Sequence, residues 1–196
     1  YDLHKKHRFR FSAASALPYT AIKVALEGCV VIQTQRLVIG PYTDSDRDSM
    51  IELLTNEQIR ETFMLPDFNT IEEATDMFRK LKYLSYSDQH YERGIYRAGE
   101  LIGFVNDVDI GDGYIEIGYV IHPIYQGMGY ASEALSAVIG DLFRKGYREV
   151  RAAAFAGNTP SRRVMEKCGM RLTEKESSII YCGQQQPCVH YAIVRY

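Results

Sequence analysis

The stretch 116–145 constrains the fold more than any other part of the chain. It opens with an apolar, β-branched run at 116–121, which has the length of a strand and stops before Pro123, because proline cannot donate to a strand ladder. Apolar residues then recur at helical spacing, and Gly146 follows where a helix tends to end. The apolar positions are Ala131, Ala134, Leu135, Val138, Ile139, Leu142 and Phe143. The pattern predicts a strand, a short turn and a helix with one buried face.

The turn between this strand and this helix contains Gly127 and Gly129. Glycine permits positive φ and has no Cβ to block an approaching ligand. The first turn of a helix also has unpaired N–H groups and the positive end of the helix dipole. The turn therefore predicts an anion site suited to a phosphate or pyrophosphate. The alternative is an ordinary strand–helix loop in which the glycines only make the bend.

Two segments resemble the GCN5-related N-acetyltransferase (GNAT) superfamily. Gln126, Gly129 and Ala131 match its acetyl-CoA motif Gln/Arg-x-x-Gly-x-Gly/Ala, and 116–131 as a whole is similar to the branch of ribosomal-protein N-terminal acetyltransferases. The segment 158–170 resembles the family's Asn-x-x-Ser … Glu-Lys-x-Gly-Phe element, with Met170 in place of the usual Phe. The resemblance covers roughly 34–196. It implies an α/β (α+β) fold with a mixed, mostly antiparallel sheet of six to seven strands, about four flanking helices, and a V-shaped split between the fourth and fifth strands.

The same resemblance implies acetyl-CoA as the acyl donor, with CoA as the product and no metal. Backbone N–H groups of the turn would hold the pyrophosphate, and the turn consists of Gln126, Gly127, Met128, Gly129, Tyr130 and Ala131. Pantetheine would pair with backbone near Val120 and Ile121, and one N–H there would polarise the thioester carbonyl. Asn158 and Ser161 would line the other side of the split. Asn158 is equally suited to cap the next helix, and Ser161 could be an exposed serine at that helix start.

For the chemistry, the resemblance implies direct attack by a neutral amine, which requires no nucleophilic side chain. Glu116 is the candidate base, directly or through a water, because it lies on the central strand in surroundings expected to be apolar. The alternative is a carboxylate that faces solvent. Tyr119 and Tyr181 are candidate proton donors, with core packing as the alternative, and Ser161 could reach the sulfur of the departing thiolate. His122 is interpreted as a loop residue, and Arg162, Arg163 and Lys167 as either CoA-phosphate contacts or a solvated helix face.

The acceptor side is assigned by resemblance to two helices, predicted at 44–56 and 70–86, and to the irregular segment 59–69 between them. Phe63, Met64 and Phe68 in this segment are candidate acceptor-binding residues, or else simply core and cover. The acceptor would be a protein or peptide N-terminus or a small amine. A non-catalytic acyl-CoA-binding or regulatory module on the same fold is the alternative function, since its cofactor motifs would be identical.

Composition and short motifs disfavour several other functional classes. A net charge of −2 gives no support to nucleic-acid binding, and no apolar run reaches the length of a membrane span. The four cysteines lack the spacing of metal ligands, so reduced thiols in the cytoplasm are expected. A nucleotide hydrolase is disfavoured because no lysine follows Gly127 or Gly129. A monomer and a homodimer are both compatible with the sequence.

Two regions are expected along the chain. Residues 1–33 form a basic extension, with five cationic against two anionic residues, which resembles a transit peptide faintly or else is a tail or a packed extension. Residues 34–196 form the acetyltransferase domain. Its strands are predicted at 34–40, 91–97, 101–109, 114–121, 149–155, 170–175, 178–182 and 188–194, with 183–187 as a loop, and a further helix starts at Asn158 or Thr159 and ends at Gly169.

Overall fold

The computed structural model describes residues 31–195, so the predicted N-terminal extension lies outside them except for its last three residues. The strands of the described part are β1 (Ile32–Gln33), β2 (Val38–Gly40), β3 (Arg93–Arg97), β4 (Glu100–Gly111), β5 (Tyr114–Ile121), β6 (Glu149–Phe155), β7 (Arg171–Tyr181) and β8 (Gln184–Val194). The α-helices are α1 (Arg47–Thr55), α2 (Glu57–Arg60), α3 (Ile71–Leu84), α4 (Tyr130–Arg144) and α5 (Thr159–Lys167), with single 3-10 turns at Asp44–Asp46 and Pro123–Tyr125.

All eight strands form one sheet in the order β1-β2-β3-β4-β5-β6-β8-β7. Every neighbouring pair is antiparallel except β5 and β6, which are parallel and connected through α4. The mixed, mostly antiparallel sheet is therefore confirmed. The described residues contain eight strands rather than six to seven, and five helices rather than about four. The predicted strand at 34–40 begins only at Val38, because Thr34 Oγ1 accepts a hydrogen bond from the Leu37 N–H at 2.9 Å and turns the chain, and Ile32–Gln33 before this turn forms β1.

The C-terminal strands differ most from the prediction. A loop at 183–187 is wrong, because β7 and β8 form one long hairpin that turns at Cys182 and Gly183, both with positive φ. Pro187 lies inside β8, opposite Ser178 of β7. It is tolerated there because β6 ends opposite Cys188 and so does not need an N–H from Pro187.

The two faces of the sheet carry separate hydrophobic clusters. The predicted face of α4 packs into the first cluster, where Ala134, Leu135, Val138, Ile139 and Leu142 are buried, while Ala131 and Phe143 are partly buried. The second cluster lies on the other face, under α1 and α3, and its buried members are Tyr42, Met50, Leu53, Leu54, Ile59, Leu65, Phe78, Tyr96, Leu101, Phe104 and Val120. Side chains alternate along a strand, so consecutive residues of β5 pack into different clusters.

The sheet splits between β5 and β6. These strands pair only at Tyr114–Glu149, Ile115–Val150 and Glu116–Arg151, although β5 runs on to Ile121 and β6 to Phe155. Beyond Glu116 the two strands separate, so the predicted V-shaped split is present, although it lies between the fifth and sixth strands rather than the fourth and fifth. Its open end lies beside the turn that starts α4. Across residues 31–195, none of the helices combines the length and the apolar character needed to cross a bilayer.

Candidate active site

The turn before α4 presents free backbone amides at the open end of the split. Gly127 and Gly129 have φ of 75° and 83°, and Gly129 is the N-cap of the helix. Residues 126–129 are exposed. Among the described residues, no protein atom accepts a hydrogen bond from the backbone N–H groups of residues 127–132. The turn therefore has the donors and the dipole end that an anion site requires.

Arg36, which the sequence analysis missed, braces this turn. Its Nη1 donates to the Met128 carbonyl at 3.0 Å, its Nε donates to Glu133 at 2.7 Å, and its guanidinium lies 4.5 Å from the centre of the Tyr130 ring. Thr34 Oγ1 also donates to Glu133, at 2.6 Å. Partial burial opposes ionisation of Glu133, but the hydrogen bonds from Thr34 and Arg36 hold the pKa of its carboxyl below the ordinary value. Arg36 thus fixes the turn next to the free amides, with its guanidinium ion-paired to Glu133.

The end of β5 supplies one backbone donor to the split. The His122 N–H donates to the Ile102 carbonyl at 2.8 Å, so His122 and Val120 direct their backbone groups toward β4. The intervening Ile121 directs its N–H away from β4 and into the split. Its carbonyl accepts from Gln126 Nε2 at 2.9 Å, so the Gln126 side chain ties the turn to the strand. Val120 contributes a buried side chain to the second cluster rather than a backbone group to the split.

Tyr119, Ser161 and Asn158 come together on the α5 side of the split. The Tyr119 hydroxyl lies 2.8 Å from Ser161 Oγ and donates to the Ser161 carbonyl at 3.1 Å. Burial raises the pKa of Tyr119, although the hydrogen bond with Ser161 acts in the opposite direction. Asn158 Oδ1 accepts from the Ser161 N–H at 3.1 Å, which is the helix-cap role. Its Nδ2 donates to the Thr62 carbonyl at 3.3 Å, so the amide of Asn158 is used at both ends.

The segment 61–69 crosses the open side of the split from α2 toward β7. Tyr181 holds it, since its hydroxyl accepts from the Leu65 N–H and donates to the Phe63 carbonyl, both at 3.3 Å. Together with the bond from Asn158 to Thr62, three hydrogen bonds of 3.3 Å join this loop to Tyr181 and Asn158. On the α2 side, the Phe63 N–H bonds to the Ile59 carbonyl at 2.8 Å and Arg60 pairs with Asp67. Tyr181 therefore acts as a tether in this structure, because its one hydroxyl proton is already donated to the Phe63 carbonyl.

The three predicted acceptor residues occupy different positions on this loop. The Phe63 ring packs edge-on against Phe104, with ring centres 5.6 Å apart, and covers Gly118 of β5. Phe68 packs against the second cluster, and Met64 is 52% exposed. Phe63 is thus the member of the set that lies directly over β5.

Glu116 lies on the same face of the sheet as Phe63. Its surroundings were predicted to be apolar, but they are polar. Arg151 of β6 is its register partner, and the charge of Glu116 helps to raise the pKa of Arg151 after the larger effect of hydrogen bonds from Arg151 to Glu149. Burial and the charge of Lys175 lower the pKa of His190, and the charge of Glu116 partly offsets this effect. A groove of about 280 Å³ adjoins this position, lined by Glu149, Arg151, Thr173, Lys175, His190, Tyr191 and Ala192.

The remaining candidates have structural partners or lie on the surface. His122 contacts Glu52 at 3.0 Å through Nε2 and caps the following 3-10 turn, as expected for a loop residue. Arg162 donates to the Tyr191 hydroxyl and to the Ala156 carbonyl, each at 3.3 Å. Arg163 and Lys167 are exposed on α5.

Comparison with known proteins agrees with this geometry. The family model described as Acetyltransferase (GNAT) domain matches residues 36–171. The uncharacterized N-acetyltransferase YnaD of Bacillus subtilis is 44% identical over 144 residues, which cover 71% of this chain and 82% of YnaD. A GNAT-family acetyltransferase from Bacillus anthracis is 25% identical, with a TM-score of 0.72 over 84% of this chain and 98% of its own.

A more distant structure shares the fold. RimL, a ribosomal L7/L12 alpha-N-protein acetyltransferase solved in complex with coenzyme A, is 18% identical, with a TM-score of 0.73 over 84% of this chain and 98% of its own. The family model covers well over half of the chain, and it begins at Arg36, the residue that braces the turn. The chain belongs to the GNAT acetyltransferase family.

Proposed function

We propose that this chain is an acetyl-CoA-dependent N-acetyltransferase in which a primary amine attacks the thioester directly. The observation that carries the proposal is the row of free amides at residues 127–132, placed at the open end of a split between β5 and β6. Membership of an acetyltransferase family supports acetyl transfer in general. Residues 34–196 are proposed as the catalytic domain, with the basic segment 1–33 outside it.

The residues present fit acetyl-CoA. The amides that follow Gln126 suit the two phosphates of a pyrophosphate, and the Arg36 guanidinium, ion-paired with Glu133, holds the turn that carries them. The split admits pantetheine as an added strand beside β5, where the Ile121 N–H is available to the thioester carbonyl. A backbone donor aimed at that oxygen stabilises the negative charge that develops during acyl transfer. The complex of RimL with coenzyme A supports this assignment.

Acetyl-CoA supplies an acetyl thioester, and the chain supplies proton transfer and positioning. The acceptor nitrogen loses a proton and bonds to the carbonyl carbon, while the carbon–sulfur bond breaks and the thiolate takes up a proton. Glu116 is the proposed base. It precedes Ile121 by five residues, about 16 Å along an extended strand, so water carries the proton to it. Tyr119 and Ser161 are proposed to hydrogen-bond the departing sulfur.

The acceptor is proposed to enter past the 61–69 loop, between Phe63, Met64 and Phe68 and the open face of the sheet. A peptide or protein N-terminus suits this enzyme well, because an α-amine loses its proton near pH 8 and a lysine amine only near ~10.4. The name of RimL, an alpha-N-protein acetyltransferase, supports that class. A small amine is the other acceptor considered. The cytoplasmic location and the oligomeric state stay predictions of the sequence.

The test is the variant Glu116→Gln, with Glu174→Gln as an exposed carboxylate control. Loss of a general base is expected to lower kcat by about 100-fold or more, with the dissociation constant of acetyl-CoA unchanged. Thiol release reports kcat and calorimetry reports binding. Full activity of Glu116→Gln between about pH 6 and 9 would remove Glu116 from the mechanism. Tight binding of acetyl-CoA by the wild type without transfer to any amine would identify a binding module instead.

A further inference from the structure

Asn106 of β4 has a buried side-chain oxygen without a hydrogen-bond partner in the described part of the chain. Among residues 31–195, its Oδ1 is the one buried side-chain nitrogen or oxygen without a hydrogen-bond partner. The Nδ2 of the same amide donates to the Asp107 carbonyl at 3.0 Å, which fixes the orientation of the amide and directs Oδ1 the other way. Such an atom is rare in folded proteins, because leaving a buried acceptor unpaired is unfavourable.

The backbone of β4 produces this arrangement. The register between β4 and β5 shifts between Asp107 and Asp109, so the strand bulges at Val108, two residues after Asn106. The irregularity leaves the Asp107 carbonyl available to Asn106 Nδ2. Bulges commonly re-aim a side chain next to a functional site.

The free oxygen faces the acceptor side of β5. Asn106 lies opposite Gly118, and Oδ1 is 3.0 Å from the point that a Cβ at Gly118 would occupy. A ring carbon of Phe63 is 2.9 Å from the same point. Glycine is therefore required there by close packing, and the Phe63 ring closes the small space above Asn106. Phe63 belongs to the 61–69 loop, which three hydrogen bonds of 3.3 Å join to Tyr181 and Asn158, and its own N–H bonds to the Ile59 carbonyl at 2.8 Å.

Glu116 lies two residues before Gly118 on the same face of β5, since side chains alternate along a strand. Asn106 and Glu116 thus flank Gly118 from two directions, one with a neutral acceptor and one with a carboxylate. Gly118 lies about midway along β5 between Glu116 and Ile121. It is therefore on the path that a proton follows from the thioester end of the split to Glu116. An entering amine is an ammonium at neutral pH, with three N–H donors that require acceptors.

We propose that Asn106 Oδ1 binds the ammonium group of the entering acceptor, which reaches it when the Phe63 ring turns aside, and holds it on the water path to Glu116, where it loses its proton before it moves along β5 to the thioester. This inference rests on the proposed acetyltransferase function. It assigns a ligand to an oxygen that is otherwise unpaired. It also makes Asn106 an acceptor-binding residue. Under this proposal, glycine at 118 leaves room for the amino group as well as for close packing.

The test compares Asn106→Leu, which removes the acceptor atom at similar volume, with Asn106→Asp, which keeps an acceptor oxygen. Ile110→Ala, at an exposed and regularly paired position of the same strand, is the control. The probes are 2-phenylethylamine, spermidine and a peptide that begins with serine. Asn106→Leu is expected to raise the acceptor KM by at least about tenfold, with little change in kcat and in acetyl-CoA affinity. Its melting temperature should change little, because the unpaired oxygen is removed together with the hydrogen bond from Nδ2 to the Asp107 carbonyl.

Asn106→Asp is expected to restore the acceptor KM to within about threefold of the wild type, since a carboxylate also accepts from an ammonium. An unchanged acceptor KM in Asn106→Leu, or an equal rise in the Leu and Asp variants, overturns the inference and leaves the acetyltransferase proposal intact. A lower melting temperature with unchanged KM assigns Asn106 a purely structural role. If the wild type acetylates none of the probes while binding acetyl-CoA, the proposed function fails and the inference with it.

Discussion

Tyr119 shows how burial limits what one side chain can do. A phenol whose pKa is raised by burial is a weaker acid than an ordinary tyrosine, while a thiol such as that of CoA titrates near ~8.5. Proton transfer from Tyr119 to the departing thiolate is therefore unfavourable. A hydrogen bond to the sulfur, made by Tyr119 or by Ser161 next to it, is the contribution that the geometry supports.

For Tyr119→Phe we expect kcat to fall by about 10- to 100-fold, the value of one hydrogen bond to a charged atom. The pH dependence of kcat between about pH 6 and 9 should keep its shape, because Tyr119 does not titrate there. Steady-state thiol release across this range is the measurement. Tyr114→Phe removes an exposed hydroxyl that donates to Asp109 and serves as the control. Loss of one limb of the profile in Tyr119→Phe would show that Tyr119 transfers a proton after all.

At the scale of elements, helix α4 is flanked by two glycines that both have positive φ. Gly129 is its N-cap with φ of 83°, and Gly146 follows its C-terminus with φ of 101°. A Cβ at Gly146 would meet nothing within 4 Å, and one at Gly129 would meet only Arg36 Nη2 at 3.4 Å. The two positions share the need for positive φ, yet only Gly129 lies among the free amides.

The pair Gly129→Ala and Gly146→Ala therefore separates stability from cofactor binding. Each is expected to lower the free energy of unfolding by about 1–2 kcal/mol, because alanine is strained at positive φ. Only Gly129→Ala should weaken CoA binding, since relief of the strain rotates the amides of the turn. Chemical denaturation and calorimetry with CoA measure the two effects. Equal losses of CoA affinity in both variants would contradict the assignment of the turn as the pyrophosphate site.

The elements that the sequence predicts well are those coded by local periodicity. The helix α4 and its buried face follow from apolar spacing, and β5 follows from a β-branched run that ends before Pro123. The hairpin of β7 and β8 was not predicted through 183–187, because Gln184, Gln185 and Gln186 carry no strand pattern and are ordered by pairing with β7. Tertiary pairing overrides local propensity at such positions.

At the scale of the whole molecule, the site is assembled from distant parts of the chain. Arg36 reaches the turn at Met128, Asn158 reaches Thr62, and Asn106 lies opposite Gly118. The motif at 126–131 could be identified locally because a glycine turn and a helix start are adjacent in sequence. Arg36 and Asn106 could not, since their roles depend on strand register and on a bulge. The polar surroundings of Glu116 escaped prediction for the same reason, because Arg151 comes from the neighbouring strand.

The packing of the whole domain also buries a carboxyl outside the site. Glu92 is 4% exposed and accepts a hydrogen bond from the Tyr42 hydroxyl. Burial raises the pKa of Glu92 to about 8, against an opposing effect of the Tyr42 hydrogen bond. In the unfolded chain a glutamate titrates near ~4.3. The folded protein therefore binds more protons than the unfolded chain between these values, and the contribution of Glu92 to stability falls as the pH rises through them.

Glu92→Gln should remove this dependence, because the amide is neutral at every pH and its oxygen can still accept from Tyr42. We expect the stability of the wild type relative to Glu92→Gln to decrease from about pH 5 to 8, by at most ~1.4 kcal/mol per pH unit, and to level off above about pH 8. Urea denaturation at intervals across this range measures the difference. Glu174→Gln, at an exposed position of β7, should differ from the wild type by a constant amount. Parallel stability curves for the wild type and Glu92→Gln would mean that Glu92 is ionised in the folded protein, and the effect of its burial would then have to be balanced by Tyr42 and Arg93.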